Sequence, residues 1–169
     1  RAREAAFSAP ATYSVVHAYV RANDTRFDNS LTAANDPTIT LGTIDGETTT
    51  FIAKNDFPKA KTNALPQLAS FSEVLTGLVD GKADMTFVEP AIAKDFLVAH
   101  PGTIKIAGPN PVRVFENVFA VKRGENDFVR LLNAALDETR RDGTVKNVVT
   151  KYNALDSFKP VTAPVGSNW

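Results

Sequence analysis

The stretch Leu78-Val79-Asp80-Gly81-Lys82-Ala83-Asp84-Met85-Thr86-Phe87-Val88-Glu89-Pro90 decides the reading of this chain. A helical pattern ends at Gly81, a residue suited to the left-handed position just past a helix C-terminus. The apolar run Met85–Val88 follows as a short strand and carries one acid, Glu89, to its own carboxyl tip. Pro90 fits the first position of a new helix over 90–99. In open α/β sheets ligands lie beyond the carboxyl ends of the strands, so an acid at that tip is placed to meet a cation.

The neighbouring sequence extends the pattern in both directions. Ser70-Phe71-Ser72-Glu73 is a capping-box signature, and Val74, Leu75, Leu78 and Val79 share one face of the helix behind it. Residues 61–65, bracketed by Pro58 and Pro66, read as an edge strand. Residues 38–41 read as a strand running into a turn over 42–49 that opens a helix through Lys54. Residues 13–21 are β-branched and aromatic, a strand, and 23–36 are a polar loop. Downstream, 103–107 is a strand, Gly108-Pro109-Asn110-Pro111 a break, and 117–123 a further strand. A long amphipathic helix with Phe128, Leu131, Leu132, Ala135 and Leu136 stops at Asp142-Gly143. A shorter helix covers 144–152, and the last dozen residues are an extended tail. The alternation from 38 to 107 predicts an α/β fold, a mostly parallel sheet with helices on both faces. Phe71, Phe87, Phe96 and Phe128 are expected in the core.

The 169 residues are 43% hydrophobic and 22% charged, ordinary for a globular protein. Nineteen basic residues balance nineteen acidic ones, without the basic patch that nucleic acid requires. No apolar run approaches the roughly 18 residues of a membrane span. The absence of cysteine excludes a disulfide framework, a thiolate metal site and a cysteine nucleophile. No cofactor or metal pattern is present: His17 and His100 lack partners at ligand or triad spacing, and His17 reads as a packing or surface residue. The chain opens at Arg1 without Met, so an export leader cannot be judged from it.

Four segments in order carry a resemblance. Arg1-Ala2-Arg3-Glu4-Ala5-Ala6-Phe7-Ser8-Ala9-Pro10, residues 42–49, residues 81–89, and Asp142-Gly143 with Lys151-Tyr152 resemble the amino-acid-binding branch of the periplasmic solute-binding proteins of ABC importers. Over about 150 residues the order and spacing match the family's R-x-x-x-x-x-F-S-x-P, G-V-x-x-G-T-T, G-R-x-D-A-x-x-x-D and D-G-x…K-Y segments. The resemblance implies two α/β lobes joined by two crossover strands, with a ligand held between them. Residues 13–114 would form the complete second lobe. Residues 1–12 and 115–169 would form part of the first lobe with a C-terminal tail, the family's opening strands and helices falling upstream of Arg1. A partial lobe is expected to leave helix faces uncovered.

The resemblance also implies a site. Arg1 aligns with the arginine that clamps an α-carboxylate, a task suited to the planar guanidinium fork, although Arg3 competes for it. Thr48 aligns with the second threonine of the G-T-T loop, where backbone N–H groups at a helix start favour an anion; a plain capping role fits Thr49 and Thr50 equally. Gly46 lets the backbone approach closely. Glu89 replaces the family's aspartate as acceptor of the α-ammonium, and Glu47 stands where Ser or Thr is usual. Asp84 reads as a structural turn residue, and Tyr13 and Asn117 lie near the crossovers. The implied function is a periplasmic, non-enzymatic substrate-binding component of an ABC transporter. Its partners would be a free amino acid or similar small polar solute and a membrane permease, with no cofactor and no nucleic acid. The alternatives are a cyclohexadienyl-dehydratase-like enzyme and a ligand-sensing domain on the same fold.

Overall fold

The computed structural model describes residues 4–152 and 157–161. In chain order the elements are β1 (Ala5–Phe7), β2 (Thr12–Arg21), a 3-10 turn (Thr32–Ala34), β3 (Thr40–Ile44), α1 (Thr48–Asp56), β4 (Lys61–Leu65) and α2 (Phe71–Val79). They continue with β5 (Met85–Val88), α3 (Pro90–Ala99), β6 (Ile104–Ala107), β7 (Arg113–Asn117), β8 (Ala120–Lys122), α4 (Asn126–Arg141), α5 (Thr144–Lys151) and β9 (Phe158–Pro160). The chain divides into two compact units, residues 15–113 and residues 1–14 with 114–169. It passes between them twice, along β2 and at the start of β7.

The unit over 15–113 is built on five strands in the order β4-β3-β5-β2-β6. β3 pairs in parallel with β4 and β5, whereas β2 is antiparallel to both β5 and β6. The expected parallel arrangement therefore holds for the strands of the βαβ crossovers, and β2 is inserted among them in the opposite sense. Strand–helix alternation fixes the direction in which each crossover returns the chain, but not which strand fills the centre. The strand at 38–41 also differs: β3 runs from Thr40 to Ile44, so Gly42 lies inside the sheet and not in a turn.

Gly42 is required there by close packing. A Cβ at this position would lie 3.1 Å from Val74 Cγ1 and 3.4 Å from the Ala83 Cβ. Gly42 pairs with Thr86, so α2 covers the face to which both belong. On that face Tyr19, Leu75, Leu78, Val88, Ala93, Phe96 and Ile104 form one buried cluster linking α2 and α3. On the other face the buried Phe87 ring stacks on Phe57, the residue capping α1, with centroids 5.4 Å apart. Helices thus cover both faces, and each large side chain so buried contributes about 1.5–3 kcal/mol.

The ends of α2 follow from its sequence. Ser70 N–H donates to Glu73 Oε2 at 2.6 Å and Glu73 N–H donates to Ser70 Oγ at 3.2 Å, a complete capping box. At the other end Gly81 has φ +77°, and the N–H groups of Gly81 and Lys82 donate to the carbonyls of Leu78 and Gly77. This is the Schellman pattern. It turns the chain into β5, whose first residue is preceded by Asp84. The Asp84 carboxylate accepts from Thr40 N–H at 2.9 Å, from Arg26 at 2.7 Å and from Arg21 at 3.4 Å. Asp84 is thereby a structural clamp at the amino ends of β3 and β5.

In the second unit β1 pairs with β8, and the first residues of β2 pair with β9. The strand expected over 117–123 is two strands, because the chain changes partner: β7 pairs with β2, while β8 pairs with β1. Asn117 belongs to the scaffold, its amide donating to Thr12 Oγ1 at 3.0 Å and to Ser14 Oγ at 2.9 Å. Phe128, expected in the core, is 48% exposed, and Leu131 on the same helix is 64% exposed. Leu136 is the buried residue of α4. The helical spacing is as expected, but the apolar face it creates is largely uncovered.

Candidate ligand-binding site

The strand register brings two predicted residues to one edge of the sheet. β3 and β5 are parallel neighbours with Leu41 opposite Met85 and Gly42 opposite Thr86. Continuing that register sets Ile44 level with Val88, so both strands end together. Thr48 follows Ile44 after three turn residues, Asp45, Gly46 and Glu47, and Glu89 follows Val88 directly. Glu89 lies one residue beyond β5, at its carboxyl tip. Glu89 is half-buried with extended backbone angles, φ −71° and ψ 145°, at the N-cap of α3. Thr48 is the first residue of α1.

The turn holding Thr48 is built by its neighbours. Gly46 has φ +77°, a left-handed conformation that side chains other than glycine rarely adopt. Thr49 is fully buried, and its Oγ1 accepts from Ile44 N–H at 2.8 Å. The Thr50 hydroxyl donates to the Ile44 carbonyl at 2.6 Å. These two threonines close the turn on the end of β3, a role the sequence did not separate from that of Thr48. Glu47, not a threonine, is the N-cap residue; it is exposed and makes no side-chain capping bond. The N–H groups of Thr48 and Thr49 have no partner among the described residues, as expected for the first turn of a helix. Unsatisfied donors and the positive end of the helix dipole together suit an anion, while Glu89 suits a cation.

The remaining candidates fall elsewhere. Arg1 and Arg3 lie outside the described residues. Tyr13 sits on β2 opposite Lys159. His100 is exposed at the end of α3 with its ring on Phe96, centroids 4.3 Å apart. His17 is a half-exposed residue of β2 opposite Val88. Among the described residues there is no cluster of three or more His, Cys, Asp or Glu side chains able to hold a metal. No described helix is long and apolar enough to cross a membrane. A cavity between α2 and the β3–β4 edge is lined by Gly42, Leu65 and Gly77, not by Gly46, Thr48 or Glu89; it lies on the opposite face from α1.

Comparison with solved structures settles the architecture. A putative binding component of an ABC transporter from Wolinella succinogenes, complexed with lysine, matches with a TM-score of 0.73 at 22% identity over 87% of this chain. The chain has the periplasmic-binding-protein-like fold. A variant of ArgBP from T. maritima matches with a TM-score of 0.70 at 19% identity over 91% of the chain. An ancestral amino-acid-binding protein, a precursor of cyclohexadienyl dehydratase, matches with a TM-score of 0.69 at 21% identity over 89%. The chain spans 62%, 64% and 61% of these three structures, respectively. No family model matches it, and no curated protein sequence does.

Proposed function

We propose that this chain is part of a substrate-binding component of an ABC transporter that captures a free amino acid or a similar small polar solute. Residues 13–114 act as its second lobe, and residues 1–12 and 115–169 supply part of the first. The observation that carries this reading is the shared strand-tip edge of Thr48 and Glu89. One ligand bearing a carboxylate and an ammonium on a single carbon meets N–H donors at the start of α1 and the carboxylate at the end of β5. Gly46 keeps the approach to those N–H donors open. The ligand printed for one similar structure, lysine, agrees in class. Capture takes place in the periplasm, and the ligand-bound form is passed to a membrane permease. No covalent step is involved.

The test is calorimetric titration of the protein with a panel of L-amino acids. Binding by one or a few members is expected, and no heat and no rise in melting temperature across the panel would remove the amino-acid reading. Glu89→Gln removes the charge that pairs with the ammonium and is expected to cost about 2 kcal/mol, roughly 30-fold in affinity. An assay for prephenate or arogenate turnover separates capture from a dehydratase activity.

A further inference from the structure

The cavity on the far face of the sheet has about 320 Å³ of space, at the lower end of the range for small-molecule pockets. Its walls are Leu65 on β4, Val74 on α2 and Ala83 before β5, with Gly42 at its floor and Gly77 on the helical side. The two glycines differ in origin. Gly42 is explained by packing, since a Cβ there would press on Val74. Gly77 is not: it lies inside α2, where glycine is unfavourable, and a Cβ there would meet nothing nearer than the Lys82 Cβ at 4.0 Å. Gly77 lines the cavity, and open space lies where its Cβ would be.

The polar groups on the rim are mostly committed. Glu73 is held by Ser70 in the capping box, Lys82 pairs with Asp80 at 3.3 Å, and the Thr76 hydroxyl donates to the Ser72 carbonyl. The carboxamide of Asn63 is the exception, half-buried and without a hydrogen bond among the described residues. One acid and one base on the rim leave no net charge to select an ion. A carboxamide both donates and accepts.

We propose that this cavity is a second ligand site, for an uncharged and largely apolar small molecule carrying a primary amide or a similar donor–acceptor group that pairs with Asn63. It is independent of the strand-tip site and of the transport reading. Benzamide is the probe, titrated into the ¹⁵N-labelled protein and followed by amide NMR. Saturable shifts are expected at the backbone amides of Gly42 and Gly77 and at the side-chain amide of Asn63. Gly77→Leu fills the space and should weaken binding by at least about tenfold, whereas Asn63→Ala should weaken it about fivefold through loss of one hydrogen bond. Asn63 lies on an edge strand, so its variant reads out the site even where Gly77→Leu disturbs the helix. Shifts that do not saturate, that persist in both variants, or that centre on Gly46 and Thr48 would overturn the proposal.

Discussion

Thr49→Val is the substitution that most sharply separates scaffold from site in the turn after β3. Valine keeps the shape of threonine but replaces the hydroxyl with a methyl group. Thr49 is fully buried, and its Oγ1 is the acceptor for Ile44 N–H at 2.8 Å. The substitution therefore leaves a buried backbone donor without a partner, which costs about 1–3 kcal/mol. With no compensating cavity and no new clash, a loss of about 2 kcal/mol is expected, equivalent to a fall of roughly 1 M in urea midpoint for a slope near 2 kcal/mol/M. Hydrogen exchange at the Ile44 amide localises the effect, since protection there should fall more than at Phe87 in the core. Thr49→Ser keeps the acceptor and loses only a buried methyl, about 1 kcal/mol. Thr48→Val, where no side-chain hydrogen bond is broken, should change stability by less than about 0.5 kcal/mol. A Thr49→Val protein as stable as the wild type, with Ile44 equally protected, would mean that the Thr49 hydroxyl does not hold the turn.

Other outcomes follow from the same geometry. The guanidinium of Arg26 holds the Asp24 carboxyl below its ordinary pKa. Burial opposes ionisation of Asp84, yet the hydrogen bonds from Arg26 and Thr40 and the charges of Arg26 and Arg21 hold it low as well. Both folded-state values lie below the unfolded ones, so this stabilisation is complete above the usual carboxylate range and is lost as pH falls through the depressed values. Urea midpoints should be flat above about pH 5 and drop below about pH 4. Arg26→Met, which removes the ion pair of the largely buried Asp24 but leaves it the Arg26 backbone N–H, should cost about 1 kcal/mol at neutral pH and flatten that acid limb. Phe128→Ser and Leu131→Ser, on an uncovered face, should each change the urea midpoint by the equivalent of less than about 0.5 kcal/mol, unlike a truncation in the core.

Much of the architecture over 61–99 was legible because each boundary has its own local chemistry. The capping box, Gly81 and Pro90 mark ends that no distant contact needs to supply, and β4, β5 and α3 begin and end where those signals place them. The misreadings arise where distant packing decides. Gly42 and Thr43 carry turn-like composition but lie in β3, because α2 needs a glycine beneath Val74. Strand order is equally remote from local sequence, so the antiparallel placement of β2 could not be read from its own residues. The spacing of Phe128 and Leu131 reveals an apolar face but not whether anything covers it. At the site, the strand tips could be inferred from alternation alone, whereas the division of labour among Thr48, Thr49 and Thr50 depends on which hydroxyl reaches Ile44.

The most direct test of the central claim is a crystal structure of the protein with the amino acid that calorimetry selects. A ligand carboxylate is expected at hydrogen-bonding distance from the N–H groups at the start of α1, with the ligand ammonium on the Glu89 carboxylate. An amino acid seated away from the carboxyl ends of β3 and β5, or bound there without contacting Glu89, would contradict that claim.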